Sequence, residues 1–125
     1  MFRAQDFVGP RRPGRVIALV GDTMDASALA EEIREADLLL HEATYDDEHA
    51  ENAKVWQHST AAQAAAFAAS CQVKRLVLTH LSSRHTTKPE DLPKLLAQAQ
   101  AAAPGLDIIL GEDLQVIPIP LPERS

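Results

Sequence analysis

Cysteine is nearly absent. Cys71 is the only one in 125 residues, which excludes an internal disulfide and any cysteine-built zinc cluster. No apolar run approaches the ~18 residues of a membrane-spanning helix, and Met1–Asp6 is not followed by an apolar core of signal-peptide length. A reduced, cytoplasmic setting with no membrane is the simplest expectation. Cationic surplus is missing too. Twelve Lys and Arg stand against 18 Asp and Glu, a formal net charge of −6. That argues against coating nucleic acid by bulk electrostatics, because counterion release needs a cationic face. A local basic patch from Arg11, Arg12 and Arg15 remains open. Repeats and linkers are also lacking, and with 46% hydrophobic and 24% charged residues one globular domain over residues 1–125 is expected.

What is present alternates in period. Val16–Val20, closed by Gly21, suits a buried strand. From Asp25, read as the N-cap, Leu29 and Ile33 fall four apart among charged neighbours, which predicts an amphipathic helix of about ten residues. Leu38–Leu40 reads as a second strand ending at His41. The polar stretch 45–57 suggests one short helix anchored by Trp56, whose packing is expected over base stacking. Thr60-Ala61-Ala62-Gln63 fits a capping box, so Ala61–Ser70 is predicted helical. Leu76–Thr79 is a third strand, Asp91–Ala102 a helix with Pro93 in its first turn, and Ile108–Leu110 and Leu114–Ile117 two closing strands. This order belongs to an α/β layer.

Polar residues gather where strands end: Asp22 after the first, His41 and Glu42 after the second, His80 after the third. His58 stands just ahead of a capped helix. Alone, each has a plainer reading as a turn, cap or hydrogen-bonded structural residue. Together they gain weight, because parallel strands bring their carboxyl ends to one edge, and carboxylate with imidazole is a donor set for zinc or manganese. His49 reads as a surface residue, Cys71 as an inert semi-buried thiol, and Lys54 and Lys74 as solvated charges.

The motifs Gly21-Asp22-Thr23, His41-Glu42-Ala43-Thr44, His58-Ser59-Thr60 and Thr79-His80-Leu81-Ser82-Ser83-Arg84 occur in this order. Together they resemble the C-terminal part of the ribonuclease Z family, the tRNA 3′-processing endonucleases of the metallo-β-lactamase superfamily. The resemblance runs from about residue 6 to 118. It implies an α/β fold, half of an αββα sandwich, with one mixed sheet and helices mainly on one face. It also implies zinc, two ions in the complete enzyme, with manganese or another divalent metal as the alternative. Asp22 would bridge the ions and His80 bind the second. His58 would protonate the leaving 3′ oxygen, Glu42 would orient its imidazole, and Arg84 would lie near the RNA backbone. Precursor tRNA is the implied substrate and a homodimer the implied assembly. His85 departs from the aromatic residue usual there, which bears on a stacking contact more than on the chemistry.

The family's His-x-His-x-Asp-His motif is missing, and with it most metal ligands, the general base and the tRNA-clamping arm. Asp22 and His80 alone cannot hold two metals, which need about seven or eight protein donors. The chain is therefore expected to be inactive alone, as a fragment or one piece of a split enzyme, and to need an N-terminal half. It should also expose an apolar sheet face that self-association covers. Two other readings stand beside this one. A non-catalytic remnant or partner domain that folds or dimerises without metal is supported by the missing half. A hydrolase of another substrate is opposed by the His-Ser-Thr motif.

Overall fold

The computed structural model describes Arg3, residues 14–83, Lys88 and residues 90–121. Arg11, Arg12, Arg84 and His85 lie outside the described residues. Strand β1 is Ile17–Leu19, β2 Leu38–Glu42, β3 Arg75–Thr79 and β4 Asp107–Leu110. Between them lie α1 (Ala30–Ile33), α2 (Ala50–Trp56), α3 (Ala61–Ser70) and α4 (Asp91–Ala102). A single 3₁₀ turn precedes α1 at Ser27–Leu29 and α2 at Asp47–His49.

The strands run in the order β1-β2-β3-β4 and all three pairings are parallel, with Leu39 beside Leu76 and Leu76 beside Ile108. When spatial order follows chain order in a parallel sheet, right-handed crossovers lay every helix on the same face. One helix layer results. Leu39, Leu76 and Leu78 point into it against Leu95 and the alanines of α3. Each fully buried leucine contributes roughly 1.5–3 kcal/mol. The small residues Ala61, Ala64, Ala65 and Ala68 are wholly buried, which lets α3 lie close to the sheet.

Several expectations need correcting. The sheet is parallel rather than mixed among the described residues, because Leu114–Ile117 does not pair as a strand. Leu114 has φ 62° and is fully exposed, and Gln115 closes a turn onto the carbonyl of Glu112. Beyond it Pro118 and Pro120 lack the N–H that a ladder requires. This segment instead crosses the second sheet face as a strap. Gln115 and Ile117 flank Leu40 and Val77, and the Pro118 and Ile119 carbonyls accept hydrogen bonds from Arg75 and Arg15. Gly111 starts the strap where a Cβ would meet the Leu78 carbonyl at 3.1 Å, so a side chain there would push the strap off β3.

The helix from Asp25 is shorter than its pattern suggested. Arg34 is extended at ψ 129° and Glu35 is left-handed at φ 59°, which ends α1 after one turn. Trp56 is 68% exposed and anchors nothing in the core. On the described sheet the expected bare apolar face is confined to Ile17 and Leu19 of β1, which are exposed, while the strap shields Leu38 and Val77.

Candidate functional site

Asp22, His58 and His80 converge at the carboxyl ends of β1 and β3, each offering a ligand atom within 4.8 Å of the others. Strand direction explains two of them, since both follow a strand at the same sheet edge. His80 leaves β3 with φ 54°, a left-handed conformation uncommon for a residue with a Cβ. Its Nδ1 lies 3.3 Å from Asp22 Oδ1 and 2.9 Å from Thr44 Oγ1.

His58 is held from both sides. Bonds from His58 N to the Ala53 carbonyl and from Gln57 N to the Lys54 carbonyl form a Schellman closure of α2, with Gln57 at φ 58°. Two residues later the predicted capping box is present. Thr60 accepts from Gln63 N, and Gln63 accepts from Thr60 N. The segment carrying His58 thus runs from one helix cap to the next, which fixes its backbone. The ring stacks on His80 with centroids 5.4 Å apart.

Beneath His58 lies Glu42, 1% exposed. Its Oε1 accepts from Ser59 N at 2.7 Å and Thr23 N at 3.2 Å. Its Oε2 accepts from Thr44 N at 3.0 Å and Thr44 Oγ1 at 2.8 Å. Buried ionised carboxylates persist where donors satisfy their lone pairs, and four protein donors do so here. His58 Nδ1 faces the same Oε1 at 3.3 Å. An acceptor on that side favours a proton on Nδ1. Thr44 Oγ1 lies 2.8 Å from Glu42 Oε2, 2.9 Å from His80 Nδ1 and 3.1 Å from the His80 carbonyl, and so bridges the two residues.

His41, grouped with Glu42 in the sequence, belongs elsewhere. Successive strand residues face opposite sides, and His41 is buried against Phe67 of α3 with Nδ1 2.7 Å from the Glu42 carbonyl. Thr44, Ser59 and Thr23 carried no role in the sequence reading, yet they bind Glu42 and each other. Ser59 Oγ donates to the Thr23 carbonyl at 2.5 Å. Their signal was present in the His-Glu-Ala-Thr, His-Ser-Thr and Gly-Asp-Thr motifs, each of which carries a hydroxyl residue. Next to Thr23, Asp25 accepts from Ser27 N at 2.8 Å, and that backbone N–H holds its carboxyl below the ordinary 3.8. Arg15 is not part of this edge; it precedes β1 and is tied to the strap. His49 is half-buried and pairs with Asp46 rather than standing free.

A parallel sheet with imidazoles and a carboxylate at its carboxyl edge defines a class before it defines a protein. Residues 7–81, more than half of the chain, match the family described as the beta-lactamase superfamily domain, and the chain belongs to that superfamily. Within it, the chain is similar to the ribonuclease Z of Enterococcus faecalis, 41% identical over 116 residues that make up 93% of this chain and 36% of that protein. It is also similar to the ribonuclease Z of Myxococcus xanthus, 47% identical over 98 residues, 78% of this chain and 31% of that one. Among solved structures, human tRNase Z, short form, aligns with a TM-score of 0.66 and 38% identity over 86% of this chain and 35% of its own. The metallo-beta-lactamase fold protein YhfI from Bacillus subtilis aligns at 0.63 with 18% identity over 77% of this chain and 37% of its own, a likeness of fold alone. The chain spans about a third of the length of the ribonuclease Z relatives.

Proposed function

We propose that this chain forms part of a metal-dependent endoribonuclease that removes 3′ trailers from precursor tRNA, acting in the cytoplasm and completed by further polypeptide. One observation carries the reading. His58 sits between a buried, fully hydrogen-bonded carboxylate, 3.3 Å from its Nδ1, and the Asp22–His80 pair. That is the arrangement a general acid beside a metal site requires.

The donor set fits a zinc- or manganese-class ion, because carboxylate and imidazole are its preferred ligands. Asp22 and His80 would hold it, and two such ions supply an activated water and a polarised phosphate. The chain's own residues do the rest. Glu42 accepts a hydrogen bond from Nδ1–H and holds the ring in place. His58, starting as the imidazolium, delivers its Nε2 proton to the departing 3′ oxygen, is left as the neutral Nδ1–H tautomer, and takes a proton back from water. Thr44 ties Glu42 to His80, so that the acid and the ligand move together. Arg84 is proposed to lie along the RNA backbone, and a homodimer is the proposed assembly.

A second reading, a non-catalytic partner domain, draws on the same donors. Asp22 and His80 have side chains 58% and 53% exposed, and three donors fall short of the four that close a tetrahedral site. Elemental analysis and precursor-tRNA cleavage, with the chain alone and mixed with a polypeptide matching the remainder of a relative, separate the two. Metal uptake and cutting in the mixture support the enzyme; neither in any combination supports the partner domain.

A further inference from the structure

Trp56 is the only tryptophan of the chain, and it stands in water, 68% exposed. It is the last residue of α2. The Schellman closure joins it to His58 through the single residue Gln57, so the two Cα atoms are at most about 7.6 Å apart, two chain steps. Gln57 also lines a groove of about 260 Å³ with Asp22, Thr23, Met24 and Asp25, which connects the metal-ligating edge to the residue beside the indole.

We propose that Trp56 stacks on a nucleobase next to the phosphate that reaches His58, making it a substrate-binding residue of the proposed endoribonuclease. The inference rests on that reading and extends it to an unpaired base. Protein docking fits the local surface less well. Val55 is also exposed, but adjacent helix residues point about 100° apart and do not form one face. A lone planar ring suits a flat, sequence-tolerant partner, and base stacking needs only one π face. The Asp25 carboxylate in the groove disfavours a second phosphate there and can accept the N–H groups of a base edge.

The test uses the emission of Trp56, which reports on this one residue, and the anisotropy of an end-labelled ten-nucleotide single-stranded RNA at low salt. Saturable quenching that tracks the anisotropy is expected, with little quenching by a duplex whose bases are already stacked. Trp56→Ala should weaken binding by about 5- to 100-fold, the range for losing one base stack, and Trp56→Phe should recover most of it. RNA binding with silent Trp56 emission, or unchanged affinity of Trp56→Ala, overturns the stacking role and leaves the endoribonuclease reading intact. An emission shift that follows protein concentration without RNA, with dimer in sedimentation, assigns the ring to a chain–chain contact instead. No anisotropy change at any concentration, with the chain alone and with the polypeptide that completes it, removes both readings.

Discussion

The two halves of the candidate site differ in completeness. Around Glu42 the chain supplies every partner. The carboxylate is 1% exposed and receives donors from Thr23, Thr44 and Ser59. Around Asp22 and His80 it supplies little, since both side chains are more than half exposed and face each other across 3.3 Å. A buried charge must be satisfied within the fold that buries it, so the Glu42 knot has to be finished in this chain. Exposed ligands carry no such demand, because water serves them until a metal or another polypeptide arrives. The chain is thus self-sufficient where it holds His58 and dependent where it is proposed to bind metal.

The largest expected effect follows from the dependent half. The chain alone should show no cleavage of precursor tRNA, and a complementing polypeptide should restore it. Metal-dependent cutting at the trailer junction by the isolated, nuclease-free chain would refute the incompleteness of the metal half. In the completed enzyme His58→Ala should lower turnover by ~10²–10⁴ with metal content unchanged, the range for losing a general acid. Turnover and bound metal are measured together, at a temperature where the variant is folded. Near-normal turnover removes the acid role, and metal loss makes His58 a ligand.

Stability should divide the halves in the opposite sense. Glu42→Gln places an amide NH₂ against backbone donors and leaves at least one of them orphaned, at a cost of roughly 3 kcal/mol for a broken buried network. Asp22→Asn, at an exposed position, should stay within about 0.5 kcal/mol of the parent. Denaturant midpoints of the isolated chain check both. Equal costs at the two positions would abolish the contrast between a finished and an unfinished half.

The same contrast explains what the sequence made legible. Leu38–Leu40, Leu76–Thr79, the capping box at Thr60 and the α4 boundaries were readable because apolar runs and caps are local signals. Asp22 and His80 were readable together because parallel topology gathers strand ends, and His58 because it stands just ahead of the capping box at Thr60. The roles of Thr23, Thr44 and Ser59 were not, since Ser59 and Thr23 reach Glu42 by backbone N–H groups 17 and 19 residues away and Thr44 meets His80 across 36 residues, separations that leave no periodic trace. Leu114–Ile117 looked like a strand by composition, and the turn at Leu114 with the prolines after it overrode that propensity. Trp56 was read as packing because aromatic side chains usually bury. A helix that ends in a left-handed closure at the sheet edge leaves its last residue in solvent.

A third carboxylate separates completeness from burial. Asp37, at the opposite end of the sheet, accepts from Val16 N at 2.8 Å and from Lys74 Nζ at 2.9 Å. Its partners are all in the chain, as for Glu42, and its own side chain is 9% exposed, but Lys74, 59% exposed, opens the pair to solvent. The Lys74 ammonium, followed by the Val16 N–H, holds the Asp37 carboxyl below its ordinary 3.8. A carboxyl whose pKa is lowered by folding stabilises the fold above its unfolded pKa, and that contribution is lost as pH falls through the folded value. Asp37→Asn should therefore cost about 1 kcal/mol or less at pH 7, the scale of an ion pair open to solvent. The gap from the parent should narrow below about pH 4, where the parent carboxyl itself takes up a proton. Urea midpoints of both proteins at pH 7 and at pH 2.5 measure it. A gap as large at pH 2.5 as at pH 7 would show that Asp37 acts through shape rather than charge. A cost matching that of Glu42→Gln would mean that a complete set of partners, rather than burial, sets the price of removing a carboxylate from this fold.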